Sequence, residues 1–308
     1  MSLLPREGLV RPPLRSQARV FAAAGAAVAG LAAVVAALVW MVAGDSSLRD
    51  VRARGELRIG YAVEAPYAML KADRTPGGES LEVARAVARH LGLRPVWIVT
   101  DFDRLLPELE AGRFDIIAAG LFVTAARSER VRFTRPQLRV RPGWLVRAGQ
   151  PPALGTYASV RPSPSLRVAV VASSVEEAQF AGRATPPASL VVVPDVRTGA
   201  AIVGTGGADA LALSLPAVSA MARAAQGRLV ALPALVASGA GAAPAAQQAQ
   251  QTHEDHVAMA VRKDAAALAA AIDEALAGYL GSAAHLAMLG ELGLGEDDLP
   301  RARDGGRP

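Results

Sequence analysis

Arg127 is one of the arginines in this sequence that could bind an anion. A guanidinium is a planar fork of N–H donors, so it can meet both oxygens of a carboxylate at once. Thr124 can cap a helix that begins beside Arg127, and the free N–H groups of that helix would favour an anion at the same place. The alternative is a surface arginine in a basic run with Arg130, Arg132 and Arg135.

A second polar helix start follows Ser173. The segment Ser174-Val175-Glu176-Glu177 has the form of a capping box. A helix that begins here would also offer free backbone N–H groups to an anion. Alternatively, Ser174 caps its helix and contacts nothing else.

Other groupings of reactive residues are weak. His253-Glu254-Asp255-His256 lacks the helical spacing of a zinc protease and is interpreted as a solvated loop. Residues 204–207 lack the lysine of a phosphate loop, which favours a tight turn. Glu108, Glu110 and Asp115 are expected to be exposed residues of a helix and a strand end. We therefore expect no metal, no cofactor and no catalytic residue.

The composition narrows the class of protein. A chain of 308 residues, 52% of them hydrophobic, is long enough for two lobes with real cores. The absence of cysteine excludes disulfides, thiolate metal sites and the acylated cysteine of a lipoprotein. Thirty-three basic and 28 acidic residues leave a net charge of +5. The basic residues form no block, so no nucleic-acid partner is expected.

Residues 20–43 form an uncharged apolar stretch. As a helix it would be roughly 36 Å long, more than the about 30 Å of a bilayer core. Residues 1–19 carry four arginines against the single Glu7, whereas Asp45 and Asp50 follow the stretch. The positive-inside rule then predicts a cytoplasmic segment 1–19, a transmembrane anchor 20–43 and a remainder that faces the periplasm. A cleaved signal peptide is the alternative.

Short apolar runs alternate with amphipathic runs from Leu57 onward, which is typical of βαβ units. The predicted strands cover residues 57–61, 96–99, 114–119, 143–147, 166–171, 190–193, 210–213, 229–232 and 257–261. The predicted helices cover residues 80–91, 103–111, 264–280 and 282–289, and others begin at Ser174, near Ala200 and at Pro216. The proline-rich loop 150–164 marks a boundary, and the Ala/Gly/Gln-rich segment 237–251 is expected to be a flexible insertion.

The run DFDRLLPELEAGRFDIIAAGLFVTAARSERVRFTRP, residues 101–136, resembles the signature of the family 3 extracellular solute-binding proteins, the amino-acid receptors of ABC importers. RGELRIGY and the following Ala65-Pro66-Tyr67 resemble the family's opening strand and proline-aromatic turn. Residues 78–91 resemble its first helix, and HVAMAVRKD at 256–264 resembles its late crossover strand. The resemblance extends from about Gly55 to Gly293.

This resemblance implies an α/β two-lobe periplasmic-binding-protein fold of the Venus-flytrap type II class, with two hinge strands and the ligand between the lobes. We expect lobe 1 to comprise residues 51–141 and 257–300, and lobe 2 to comprise residues 142–256. One N-terminal transmembrane helix would precede them.

The resemblance also implies a ligand site. Arg127 matches the arginine that holds the ligand α-carboxylate, Gly120 a position whose backbone faces the ligand, and Phe102 an aromatic that lies against the ligand side chain. Ser173 and Ser174 match a turn of small residues in the second lobe. The full set of expected ligand-binding residues is Glu64, Tyr67, Phe102, Gly120, Phe122, Thr124, Arg127, Ser173, Ser174 and Ser214.

Three of these residues depart from the family. Ser214 stands where relatives carry an aspartate for the ligand ammonium, Phe122 replaces a small hydroxyl residue, and Glu64 replaces an aromatic residue. If Glu64 pairs with an ammonium and Phe122 stacks on the ligand, the ligand is an amino acid. If Glu64 points to solvent, a carboxylate without an ammonium is favoured, because a buried unpaired charge is costly.

The sequence thus predicts a receptor and no enzyme. It would close by hinge motion on a small carboxylated solute, an amino acid or another carboxylate, and present it to an ABC permease at the inner membrane. Two alternatives remain: an orphan periplasmic sensor that reports its ligand to a membrane signalling partner, and an enzyme similar to cyclohexadienyl dehydratases with Glu64 as general acid.

Overall fold

The computed structural model describes residues 45–149, 154–157, 159–160, 165–181, 189–234 and 256–300. The predicted anchor 20–43, the insertion 237–251 and most of the proline-rich loop lie outside the described residues. Within the described ranges, no helix is long and apolar enough to cross a membrane.

Strands and helices alternate along the chain, as the pattern predicts. The strands are β1 (Glu56–Tyr61), β2 (Met69–Leu70), β3 (Pro76–Gly77), β4 (Arg94–Val99), β5 (Ile116–Ile117), β6 (Val131–Phe133), β7 (Leu138–Arg139), β8 (Pro142–Arg147), β9 (Val168–Val171), β10 (Leu190–Val193), β11 (Ala210–Ser214), β12 (Leu229–Pro233), β13 (His256–Val257) and β14 (Ala260–Arg262). The helices are α1 (Ser47–Arg54), α2 (Glu79–His90), α3 (Leu105–Glu110), α4 (Ala125–Arg130), α5 (Val175–Ala181), α6 (Val196–Thr205), α7 (Leu215–Ala224), α8 (Ala266–Tyr279) and α9 (Ala283–Glu291).

Lobe 1 is built around a five-stranded sheet with the order β4-β1-β5-β14-β6. β1 is parallel to β4 and β5, whereas the late strand β14 is antiparallel to β5 and β6. Leu57 and Ile59 of β1 are fully buried, as is Leu81 of α2 on the same core. The amphipathic helices α2 and α8 pack together on this sheet, which follows from their apolar faces.

Lobe 2 is built around a second five-stranded sheet with the order β10-β9-β11-β8-β12. β9 is parallel to β10 and β11, whereas β8 is antiparallel to β11 and β12. Trp144, Tyr157 and Phe180 fill its core, and the rings of Trp144 and Tyr157 meet edge-on with centroids 4.6 Å apart. Together the two mixed sheets form the predicted two-lobe α/β fold.

A two-stranded antiparallel sheet joins β7 to β13. β7 precedes the strands of lobe 2 and β13 follows them, so the chain passes between the lobes here. Val257 also forms a β-bridge to Phe122, and its carbonyl accepts a hydrogen bond from the backbone N–H of Gln137 at 2.8 Å. These contacts tie the crossing strands to the segment that follows β5.

The C-terminal segment after α8 packs on both lobes. Met288 of α9 contacts the apolar cores of both, and Leu289 is buried against the second. The Arg223 guanidinium of α7 donates to the Leu292 carbonyl at 3.3 Å, and that of Arg139 donates to the Asp297 carbonyl at 3.4 Å. Residues 283–299 therefore bridge the two lobes.

Three predicted elements differ in detail. The predicted strand 114–119 pairs only at β5, although all of these residues are buried. The predicted helix 103–111 becomes a 3-10 turn followed by α3, whose start keeps Pro107 within the first turn, where a missing N–H is tolerated. The predicted strand 257–261 is two strands, because β13 pairs with β7 and β14 with the first sheet.

The expectation that Asp115 and Glu108 are exposed is wrong. The Asp115 side chain is only 4% exposed and lies between two arginines. Arg54 of α1 donates to both of its oxygens at 2.7 Å, and Arg58 of β1 donates through its backbone N at 2.9 Å and its side chain at 2.8 Å. Burial alone raises the pKa of Asp115, but these hydrogen bonds outweigh it and hold the pKa below its usual value. Glu108 is likewise buried, beside Arg113.

We expect Asp115→Asn to lower the free energy of unfolding at pH 7 by about 2 kcal/mol, since charge-assisted hydrogen bonds to a buried carboxylate are lost. Glu110→Gln, which removes an exposed pair with Arg130, should cost less than about 0.5 kcal/mol. Because the folded pKa is depressed, the Asp115 contribution is present at neutral pH and is lost on acidification below about pH 4. Urea titrations at several pH values measure this, and equal costs for the two variants would contradict it.

Candidate ligand-binding site

A small pocket lies where the carboxyl ends of parallel strands in the two lobes face each other, the usual place for ligands in open α/β sheets. Its lining residues are Glu64, Phe102, Gly120, Phe122, Arg127, Val171, Ser174, Val175, Glu176 and Leu213. The remaining space is about 10 Å³ for the centre of a water-sized sphere, enough for about one water molecule. Six predicted residues therefore meet here. Tyr67, Thr124 and Ser173 contact members of this group, and Ser214 bonds to Tyr67 behind them.

A larger open groove of about 840 Å³ is lined by α6 and α7 of lobe 2 and by Val63, Ala65 and Met69 of lobe 1. Alanines and arginines line much of it, and it includes none of the ten predicted ligand residues. The small pocket, with its charged and aromatic walls, is the better candidate site.

Arg127 spans the gap between the lobes. The hydroxyl of Thr124 accepts a hydrogen bond from the Arg127 backbone N–H at 3.2 Å and so caps α4. This cap fixes the position of the Arg127 backbone at the start of the helix. Nη1 donates to the Phe122 carbonyl in lobe 1 at 2.9 Å, and Nη2 donates to the Ser173 carbonyl in lobe 2 at 3.0 Å. The guanidinium carbon lies 5.7 Å from the centre of the Phe102 ring, which forms one wall of the pocket.

Ser173 has the left-handed backbone conformation, with φ of 61°, and this turns its carbonyl toward Arg127. Ser174 caps α5 by accepting the Glu177 amide at 3.1 Å. The Glu177 carboxylate reaches back to the Ser173 amide at 2.6 Å, one residue earlier than in the predicted capping box. The turn is thus held by reciprocal bonds at both of its ends.

Tyr67 and Ser214 join the lobes behind the pocket. Tyr67 is fully buried, and its hydroxyl lies 2.9 Å from the Ser214 Oγ. Ser214 also caps α7, since its Oγ accepts the Ala217 amide at 3.4 Å. Burial raises the pKa of Tyr67 well above its usual value, so its hydroxyl keeps its proton. The Ser214 hydroxyl is therefore already used by two protein groups.

Gly120 supplies the pocket wall in front of Tyr67. Its φ is +65°, and a Cβ built here would lie 2.5 Å from the Tyr67 ring. Its amide donates to the Ser80 hydroxyl at 3.2 Å. Both the backbone conformation and the close approach of the ring require glycine at this position.

Behind Gly120 lies a buried polar cluster formed by Glu79, Ser80 and Gln137. The side-chain amide of Gln137 donates to both carboxylate oxygens of Glu79 at 3.1 and 3.0 Å, and the Ser80 hydroxyl donates to one of them at 2.8 Å. Burial raises the pKa of Glu79 to about 7, against the effect of these hydrogen bonds. This carboxyl does not line the pocket.

Glu64 points into the pocket from lobe 1 and is only 8% exposed. Its backbone exchanges hydrogen bonds with Ala68 at 2.8 and 2.9 Å, which fixes the turn after β1. Among the described residues, no donor bonds to its carboxyl group. Burial, together with the nearby negative charge of Glu176, raises the pKa of Glu64 to about 8.

Glu176 also lines the pocket, although it is not among the ten predicted ligand residues. It comes from α5 of lobe 2 and is 3% exposed. In the predicted capping box, Glu177 is the carboxylate with a structural role, and Glu176 has none. The available signal was the position of Glu176 in the first turn of a helix whose start was expected to face the ligand.

The pocket thus combines one arginine, two carboxyl groups and two phenylalanines. The chemistry of these walls matches a small solute with charges of both signs and an apolar part, although a solute larger than water enters only if the lobes lie further apart than they do here. No cluster of three or more metal-ligating side chains occurs in the part of the chain that the structure describes.

Comparisons with known proteins identify the family of this chain. Residues 57–282 match the model of the bacterial extracellular solute-binding proteins, family 3. The probable amino-acid ABC transporter periplasmic-binding protein y4tE of Sinorhizobium fredii is 30% identical over 216 residues, 69% of this chain and 71% of that protein. A shorter match, 31% identical over 113 residues, covers 36% of this chain and 24% of the membrane-bound lytic murein transglycosylase F of Sodalis glossinidius.

Solved structures show the same fold. EhuB in complex with hydroxyectoine superposes with a TM-score of 0.69 at 24% identity, over 82% of this chain and 93% of that one. AbpA from Streptococcus pneumoniae bound to L-arginine gives a TM-score of 0.67 at 19% identity, over 79% and 97%. The family model covers most of this chain, so the family inferred from the sequence is confirmed: the chain belongs to the bacterial extracellular solute-binding proteins, family 3.

Proposed function

We propose that this protein is the receptor of an ABC importer and closes on a small carboxylated solute, an amino acid, whose carboxylate binds Arg127. The observation that carries the proposal is the place of the Arg127 guanidinium, in a pocket between the lobes and in contact with both. The amino-acid transporter protein of S. fredii supports the choice of solute.

The two carbonyls that Arg127 contacts are neutral acceptors from different lobes. A carboxylate is a stronger partner for a guanidinium and can engage two of its N–H groups side by side. A solute held in this way contacts both lobes, and its higher affinity for the closed form supplies the free energy of closure. In this proposal Phe102 and Phe122 cover its apolar part, and Glu64 pairs with its ammonium.

The other predicted residues would position the side chains that contact the solute. Gly120 leaves room for the solute beside Tyr67, and the turn of Ser173 and Ser174 brings lobe 2 against it. Thr124 and Ser214 cap α4 and α7 and hold the walls in place.

We also propose the lobe boundaries given above, with lobe 1 formed by residues 51–141 and 257–300, and lobe 2 by residues 142–256. The receptor would face the periplasm and remain at the inner membrane through residues 20–43. Such tethering raises its effective concentration beside an ABC permease.

A second candidate function rests on Glu64. A buried carboxyl group with a pKa of about 8 is protonated at neutral pH and can act as a general acid. An enzyme similar to cyclohexadienyl dehydratases would use it in this way. Incubation of the full chain with prephenate or arogenate, followed by assay for aromatic product, tests this; absence of product excludes it.

In a thermal-shift screen of the twenty common amino acids, at least one should raise the melting temperature of the full chain. Arg127→Ala should weaken binding of that amino acid about a hundredfold, because a buried charge-assisted pair is lost. Arg130→Ala, on the same helix and paired with the exposed Glu110, is the control and should bind normally. Unchanged affinity in Arg127→Ala would refute the proposal.

Tyr67→Phe and Ser214→Ala should each reduce the free energy of unfolding by about 1 kcal/mol, and a double-mutant cycle should show coupling between them of similar size. Tyr61→Phe is the control, since the Tyr61 hydroxyl forms no hydrogen bond among the described residues. Urea denaturation of the four proteins and the control gives these values. Strictly additive losses would mean that the two hydroxyls do not meet in solution and that the lobes rest further apart.

A further inference from the structure

Two carboxyl groups from opposite lobes line the same small pocket. Glu64 of lobe 1 and Glu176 of lobe 2 are 8% and 3% exposed. They are close enough for the charge of Glu176 to act on Glu64. Closing the lobes therefore brings two like charges together in a space with room for about one water molecule.

We propose that protons compete with the solute's cationic group for this pocket: Glu64 carries a proton when the lobes close without solute, and is ionised and paired with the solute's cation when they close on it. Glu176 of lobe 2 adds negative charge to the pocket and so strengthens both the binding of the proton to Glu64 and the binding of the solute's cation. This inference rests on the proposed function, in which the solute carries a cationic group near its carboxylate, and adds a dependence of binding on protons.

Among the described residues, no side chain that faces Glu64 donates a hydrogen bond to its carboxyl group. The titratable or charged side chains that face it are Glu176 from α5, Arg127 from α4 and Tyr67 from its own turn. Two Arg127 donors are directed to backbone carbonyls, and the Tyr67 hydroxyl is paired with Ser214. The other walls are apolar or weakly polar: Phe102, Gly120, Phe122, Val171, Ser174, Val175 and Leu213.

Closure changes the environment of Glu64 in a defined direction. In this structure the two lobes are in contact, and burial together with the charge of Glu176 raises the pKa of Glu64 from its ordinary 4.5 to about 8. Between these values, closure without solute takes up a proton and becomes less favourable as the pH rises. A cationic solute needs the ionised carboxylate, so it competes better as the pH increases toward 8. A carboxylic acid without a cation shows the opposite trend.

The first measurement needs no solute. Carbon-13 NMR of the full chain with labelled glutamate carboxyls, titrated from about pH 4 to about pH 9, should show a Glu64 signal with a raised pKa. Glu64→Gln identifies the signal, and Glu176→Gln should move its midpoint to lower pH. Glu129→Gln removes an exposed carboxylate of α4 and should leave it unchanged. Titration of Glu64 near its ordinary value overturns the inference, whatever the variants do.

The second measurement uses the amino acids from the thermal-shift screen. Calorimetry in two buffers with different ionisation enthalpies should show proton release on binding near pH 7, and the affinity should rise by up to about tenfold per pH unit below about pH 8. Glu64→Gln should abolish both effects. Amino-acid binding with no proton release and constant affinity would overturn proton competition but leave the receptor function standing. Failure of every amino acid to bind at any pH would overturn the receptor function itself.

Discussion

The hydrogen bonds of the Arg127 guanidinium to one carbonyl from each lobe are the contact on which the site depends. They require Thr124 to start α4 at the correct residue and Ser173 to adopt a left-handed backbone, so that a carbonyl faces the gap. Because a guanidinium has several donors in one plane, it can bond to acceptors in both lobes at once. The aromatic and acidic walls take their positions around it.

Much of the fold was predictable because hydrophobic periodicity acts locally. The alternation of apolar and amphipathic runs correctly indicated strands such as β1 and β9 and helices such as α2 and α8. The hydrophobic pattern was less informative where contacts between distant residues decide the structure. Residues 257–261 form one apolar run in the sequence but pair with two different sheets. Asp115 was predicted to be exposed at a strand end, but Arg54 and Arg58 enclose its carboxylate.

The site was predictable to the extent that short motifs carry it. Arg127, Gly120 and Phe102 lie in one continuous signature, and the structure brings them to one pocket. The role of Glu176 and the burial of Glu64 depend on contacts between lobes, which no local pattern encodes. The same holds for the bond between Tyr67 and Ser214, 147 residues apart. Such pairs become visible only when the two sheets are placed against each other.

The C-terminal segment, residues 283–299, bears on how the protein can be handled in the laboratory. It lies on both lobes, held by Arg223 on one and by contacts with the α2 side of the other. A fluorescent reporter or affinity tag attached to it would lie against both lobes and would restrain any movement of one lobe relative to the other. Labels intended to leave that motion undisturbed belong on exposed sites far from this segment, such as the edge strand β10 at Val192.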